Sequence, residues 1–249
     1  MKRAQRHHLK ENKLAQTIAA AREGLIARKG EVTATLLAVV VIVAIVAAIS
    51  AWRQQDTVRA EQLLADAMVI FNARVVPVTT ASENPGEVPA AATIGATGSY
   101  ATERAKLTDA LPKLKAAADA FPETEAGVTA RYLYASSLSN LGQHTEAIDA
   151  FREVVDLSGD DSLYGRVALM GTADAQTRAG QLEAAIETWD ALASSADEQL
   201  PKDAVLMELG KAYQASGNEE EASKVFARVV DEHPTSLYSA EAQAALEGS

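Results

Sequence analysis

No cysteine occurs anywhere in the 249 residues, so disulfides, thiolate metal sites and a cysteine nucleophile are excluded. Other signatures of chemistry are missing as well. The chain has no GxSxG elbow, no HExxH helix and no phosphate-cradling glycine loop. Its four histidines do not pair for a metal. His7 and His8 are adjacent and project about 100° apart on a helix, while His144 and His233 stand alone. Gly159-Asp160-Asp161-Ser162 lacks the alternating ligands and closing Glu of a calcium loop, and reads as a turn. Acidic residues are abundant, but carboxylate pairs on helix faces serve solubility. No catalytic constellation emerges, so the expectation is a protein with no enzymatic activity, no metal and no cofactor.

Positive charge is also scarce, except at one end. Residues 1–31 carry eight Lys/Arg against Glu11, Glu23 and Glu31, a net of +5. The whole chain is −11 and residues 32–52 are uncharged, so residues 53–249 carry −16. A domain this acidic repels nucleic acid and anionic headgroups.

What the chain does have is one long apolar run. Val32–Trp52 contains no charge, Gly or Pro, and eleven of its residues are Val, Leu or Ile. As a helix it spans roughly 32 Å, the thickness of a hydrocarbon core. Insertion of its Val, Leu and Ile side chains is favourable by about 3 to 7 kcal/mol, and Trp52 suits the interface. A cleaved signal has a shorter apolar core of about 7–15 residues. Ala47-Ala48-Ile49-Ser50-Ala51 does offer small residues to a peptidase, and a buried core helix is the other alternative. An uncleaved transmembrane anchor accounts best for the length. Basic flanks stay in the cytoplasm, so the N-terminus is expected there, with the acidic bulk across the membrane.

The remaining chain is organised by helical periodicity. Leu9, Leu14, Ile18, Ala21 and Leu25 approach helical spacing. This pattern suits a helix lying on the membrane face or one running into the anchor. Arg53–Arg74 reads as a helix through Val58, Leu63, Leu64, Ala67 and Ile70. Residues 75–99 hold Pro77, Pro85, Gly86, Pro89, Gly95 and Gly98, and read as a flexible loop. From Tyr100 onward the composition is that of helices.

Self-similarity then appears. Ala135, Gly142, Ala147 and Phe151 recur as Ala173, Gly180, Ala185 and Trp189, then as Gly210, Gly217, Ala222 and Phe226. The physical reading is a helical hairpin. A small residue lets the second helix cross closely. The Gly ends the first helix in a left-handed conformation. The Ala packs back, and the aromatic fills the seam with the next hairpin. Pro234 stops the last second helix. The spacing leaves extra residues around Ser158–Ser162 and Ser194–Leu200. A split unit precedes these three: Ala110, Leu114, Ala117 and Pro122 match a second helix, with Arg59–Arg74 as its partner. Pro112 requires that helix to start near Thr108–Asp109 or to kink. Residues 236–248 form a short capping helix.

These offsets resemble the tetratricopeptide repeat, over residues 128–234. The departures are that the large residue near the start of each hairpin is not Trp, that Gln176 stands where the other units have Leu138 and Tyr213, and that Val154, Leu192 and Val229 replace a smaller Ala. The expected fold is therefore all-α: a basic arm (1–31), one transmembrane helix (32–52), and a domain (53–249) built as an α-solenoid of about three to four tetratricopeptide-type hairpins. In that family inward-facing first-helix residues line a protein-binding groove. Carried over by position, these are Tyr132, Ser136 and Asn140; Met170, Asp174 and Arg178; and Met207, Lys211 and Gln214. The alternative is an ordinary solvated helix face. A carboxylate clamp of the chaperone type is not reproduced by Lys211, Arg178 and Asn140.

Basic arm, anchor, split first unit and acidic repeats together resemble the bacterial inner-membrane family typified by the ancillary subunit of the Sec translocon, which shares its repeat domain with a cell-division coordinator. The resemblance implies a periplasm-facing scaffold whose partners are translocon subunits, periplasmic chaperones or exported chains, with no nucleic acid or small-molecule substrate. The alternative is a scaffold for envelope assembly or cell division acting through self-association.

Overall fold

The computed structural model describes residues 29–76, 98–196 and 199–248. Expectations for the basic arm, the histidines at its start and the centre of the 75–99 loop fall outside those residues. The chain divides into two units, Met1–Gln55 and Asp56–Ser249.

In the first unit, helix α1 (Lys29–Phe71, which continues into the second unit) carries the apolar run. Leu36, Leu37, Val41, Ile45 and Ile49 are all exposed. Two hydroxyls of the run are satisfied inside the helix. Thr33 Oγ1 donates to Gly30 O at 3.0 Å and Ser50 Oγ to Val46 O at 2.8 Å. A helix meets its backbone hydrogen-bonding needs internally, and one whose outward groups are mainly aliphatic is the form a bilayer tolerates. Leu36–Phe71 is long and apolar enough to cross a membrane.

The second unit begins with the rest of α1. The helix expected over Arg53–Arg74 is the continuation of α1 and stops at Phe71, while Arg74 enters a strand. The two-residue strands β1 (Arg74–Val75) and β2 (Ser99–Tyr100) pair in parallel, with Val76 N–H donating to Tyr100 O at 2.8 Å. The ends of the expected loop are therefore ordered and paired.

Helix α2 (Glu103–Ala120) rules out the first of the two alternatives left by Pro112. It does not begin at Thr108–Asp109 but at the Thr102 cap, whose hydroxyl accepts from Ala105 N–H at 3.1 Å, and it runs through Pro112. Pro112 lies on the exposed side, so its ring and the amide hydrogen bond it removes both face solvent. The split hairpin is present. Ala67 of α1 packs with Ala110 and Leu114, flanked by Ile70 and Phe71, and Leu64 lies against Ala117, Ala118 and Ala130.

Three uninterrupted hairpins follow: α3 (Glu125–Asn140) with α4 (His144–Ser158), α5 (Leu163–Arg178) with α6 (Leu182–Ser194), and α7 (Lys202–Ala215) with α8 (Glu219–Glu232). Helix α9 (Ser239–Glu247) packs on the last, so nine helices occur among the described residues. Together they make a solenoid of the tetratricopeptide type. Each inter-helix glycine takes the left-handed conformation, with φ of 86° at Gly142, 74° at Gly180 and 79° at Gly217. The next residue closes the turn. Gln143 donates to Leu138 O at 2.9 Å, Gln181 to Gln176 O at 2.9 Å and Asn218 to Tyr213 O at 3.0 Å. These six-residue closures satisfy carbonyls that a helix end leaves open.

The aromatic residues seal the stack, though not all in the expected direction. The Phe151 ring covers Gly171 of the following hairpin, whereas the Phe226 ring covers Gly210 of its own. The third hairpin has only the short α9 after it, and its first-helix glycine leaves room for the ring. Val154, Leu192 and Val229 are buried, filling space where the family uses Ala.

The hairpin junctions hold a device absent from the sequence reading. Thr124 Oγ1 donates to Phe121 O at 2.8 Å and accepts from Gly127 N–H at 3.0 Å. Ser162 Oγ donates to Gly159 O at 2.9 Å and accepts from Gly165 N–H at 2.8 Å. At the third junction Lys202 takes over, with Nζ donating to Leu192 O at 2.8 Å, Ala193 O at 3.2 Å and also Ser195 O. A cation there suits the negative end of the α6 dipole. Arg131 braces the earlier helices, at 2.8 Å from Asp119 of α2 and 2.6 Å from Glu153 of α4.

Candidate functional site

A cleft of about 330 Å³ opens between the first helices α3 and α5. Five of the expected groove residues line it: Tyr132, Ser136 and Asn140 from α3, and Met170 and Asp174 from α5. Residues four apart on one helix share a face, so 132, 136 and 140 form one wall, with 170 and 174 opposite.

The floor comes from the second helices. Phe151 and Trp189 reach the cleft from α4 and α6, both almost fully buried. Tyr132 meets Phe151 at 5.7 Å between ring centroids, tilted by 56°, an arrangement favoured by the ring quadrupoles. Burial raises the Tyr132 hydroxyl pKa above its ordinary value, keeping it a neutral donor. The Trp189 indole N–H is buried with no partner.

Polar groups sit on the rim. Asn140 Nδ2 donates to Ser136 O at 2.9 Å, leaving the amide oxygen free to accept. Asp174 is the one charge lining the cleft, and Arg178 Nε reaches both of its oxygens, at 3.0 and 2.9 Å. The result is an apolar, aromatic floor inside a polar rim. Such a surface holds an apolar side chain and leaves polar groups to pair with a backbone.

The other four expected groove residues are placed elsewhere. Arg178 lies beside the cleft as the ion-pair partner of Asp174. Met207 is a correction: it is fully buried in the core shared by α5, α6, α7, α8 and α9. Lys211 is drawn toward α9, 3.1 Å from both Glu208 and Glu241. Its partial burial pulls its pKa down, but the hydrogen bonds it donates to Glu241 and Glu208 outweigh that and leave it raised. Gln214 is exposed near the end of α7. Asn140, Arg178 and Lys211 are thus engaged separately and do not converge as a carboxylate clamp.

The sequence reading missed Ser139, Phe151, Val167, Gly171 and Trp189 as lining residues. Val167 and Gly171 lie within one turn of Met170, so widening the face by one flank finds them. Phe151 and Trp189 carried a signal already, as the recurring aromatics, but were assigned only to packing. No cluster of metal-binding side chains occurs among the described residues. His144 Nδ1 is buried without a partner and His233 caps α8.

Two segments match the tetratricopeptide repeat family, residues 96–162 and residues 204–236. No curated protein matches. Among solved structures, the chain is similar to the nearly identical TPR-like repeats of a candidate kinesin light chain from Podosopora anserina. That likeness has 21 % identity over 58 % of this chain and 86 % of the other, with a TM-score of 0.47. A single-substitution variant of those repeats matches at 20 % identity over 59 % and 86 %, again with a TM-score of 0.47. The two family matches support a tetratricopeptide repeat protein.

Proposed function

We propose, from the premise that this chain is a tetratricopeptide repeat protein, that it is a membrane-anchored scaffold which docks polypeptides in the cleft between α3 and α5. The repeats indicate a protein–protein interaction scaffold, in a family that is generally non-catalytic. The observation that carries the reading is the cleft itself. Five first-helix residues chosen by position converge on it over a floor of Phe151 and Trp189.

The finer assignment rests on architecture. A basic arm, an apolar helix and an acidic repeat domain fit a single-pass protein of a bacterial inner membrane, N-terminus cytoplasmic and repeats periplasmic. They also fit an ancillary translocon or chaperone-like role toward exported chains. Its partners would be translocon subunits, periplasmic chaperones or the exported chains themselves. A scaffold for envelope assembly or cell division is the second reading, favoured by the cell-division coordinator that shares the resembled repeat domain.

Photocrosslinking amino acids at Tyr132 and Met170, in native membranes, separate these readings. Mass spectrometry of the adducts is expected to identify translocon subunits, chaperones or exported chains. Adducts to division or envelope-assembly proteins would replace the first reading with the second. An absence of adducts from either position would overturn the groove as the docking site.

A further inference from the structure

The groove between α3 and α5 holds one group that core packing does not explain. At the second-helix aromatic position the flanking hairpins carry Phe151 and Phe226, and the middle one carries Trp189. All three are almost fully buried, Trp189 to 2 % exposure. A phenylalanine fills that seam without a polar atom. The indole fills it and adds an N–H, and Nε1 is buried with no hydrogen-bond partner. A buried Trp N–H ordinarily finds an acceptor, because an unpaired buried donor has given up its hydration for nothing. Among the described residues Arg131 and His144 also hold a buried unpartnered nitrogen, and neither lines the groove. Trp189 does.

The lining limits what can satisfy that donor. Tyr132, Phe151, Val167 and Met170 surround it with apolar groups, and Asp174 supplies negative charge. A purely apolar side chain seated here leaves the N–H unpaired. A Lys or Arg head carries donors only, and so meets a donor with a donor. A carboxylate is repelled by Asp174 and loses its hydration over an apolar floor. An uncharged acceptor remains. Met offers only a weak one, and Asn or Gln brings two further protons that need partners. Tyrosine combines a ring, which packs edge-to-face on aromatic neighbours, with a hydroxyl whose lone pairs accept from the indole. Its single proton has the Ser136 and Ser139 hydroxyls among the lining groups. Met170 lines the groove and packs on the cluster that holds Trp189, and its unbranched side chain moves aside easily for a ring.

We infer that the groove is a tyrosine pocket: a partner polypeptide inserts a Tyr side chain whose hydroxyl accepts from Trp189 Nε1. This rests on the groove reading above and names the residue that the groove selects.

The test uses two fluorophore-labelled, amidated pentapeptides, Ala-Ala-Tyr-Ala-Ala and its Phe counterpart, which differ by one hydroxyl. Each is titrated by anisotropy against the full chain in detergent micelles. The Tyr peptide is expected to bind at least about fivefold more tightly, the worth of one hydrogen bond. Trp189→Phe should bring the ratio of the two affinities to unity by weakening the Tyr peptide alone. A second readout does not depend on the folding of that variant. The chain has two tryptophans, Trp52 and Trp189, and Trp52 is exposed on α1. Trp52→Phe therefore leaves indole emission from position 189 alone, which should shift to the red with unlabelled Tyr peptide and not with the Phe peptide. Equal affinities for the two peptides, a Tyr preference that survives in folded Trp189→Phe, an unmoved emission at saturation, or no binding of either peptide would each overturn the inference. Crosslinks from Tyr132 and Met170 tell the two readings apart. Where they form and the peptides bind alike, the tyrosine selection falls and the groove stands; where they are absent and neither peptide binds, both fall.

Discussion

Substituting Gly165 by Ala tests how the hairpins are joined. Gly165 is the third residue of α5, its N–H held by Ser162 Oγ. A Cβ there would collide with Gly159 O, with Gly159 C at 2.8 Å and Asp160 Cα at 2.9 Å. All three are main-chain atoms, and no side-chain rotation relieves the overlap. Forcing an extra methyl into a filled space costs about 1–3 kcal/mol. Helix propensity returns at most about 1 kcal/mol. If the junction moves aside instead, the two Ser162 hydroxyl bonds are lost, at about 1 kcal/mol each. The net is a destabilisation of up to about 3 kcal/mol. For a chain of this size that lowers the melting midpoint by up to about 12 °C.

The assay is far-UV circular dichroism melting of the solubilised chain, with hydrogen exchange at the first turn of α5 as a local readout. Gly127→Ala should behave alike, since Phe121 O occupies the corresponding place. Gly171→Ala should lose less, because its neighbour is the Phe151 ring, a side chain that can shift. A Gly165→Ala variant melting at or above wild type would refute the reasoning. So would a larger loss at Gly171 than at both junction glycines.

Two further outcomes are expected. The Ser236 hydroxyl donates to Asp203 at 2.7 Å and holds its carboxyl below the ordinary 3.8, against an opposing effect of burial. A depressed carboxylate stabilises above its ordinary value and stops doing so as pH falls through its folded value. Protection of amides in Ser236–Ala242 should therefore drop below about pH 4 in wild type, and Asp203→Asn should remove that step; the same step in both proteins would discard the linkage. The absence of native cysteine makes single-cysteine labelling clean. Glu11→Cys should react with an impermeant maleimide only after the inner membrane is opened, and Ser216→Cys once the outer membrane alone is permeabilised; the reverse pattern would invert the proposed orientation.

The repeat was legible because its key residues act locally. Gly142, Gly180 and Gly217 mark chain reversals whatever packs around them, and the Ala and aromatic offsets follow from one crossing geometry. Pro112 misled because its cost depends on which way it faces, and periodicity alone did not say that α2 turns it to solvent. Met207 misled for a related reason. Its position matches Tyr132 and Met170, but α9 closes over that end of the stack, and a capping helix is visible only in three dimensions. Gln176 was noticed as a departure from the pattern, yet its partner Thr188 lies on another helix. Thr124 and Ser162 were read as neither caps nor ties, because what they bind is the carbonyl of the preceding junction.

The four-residue ladder of β1 and β2 has a consequence for how this protein can change. It closes the neck of the split hairpin, with Lys106 of α2 lying 5.9 Å from the Phe71 ring centroid beside it. With the neck fastened, each doubling of the length of chain between the strands adds only about 0.6 kcal/mol of closure entropy. Segments can therefore be inserted, deleted or exchanged there while the stack keeps its register. The split unit is a natural port into a domain whose other turns are only a few residues long, and a tag or sensor threaded through it would report on the scaffold without rebuilding it.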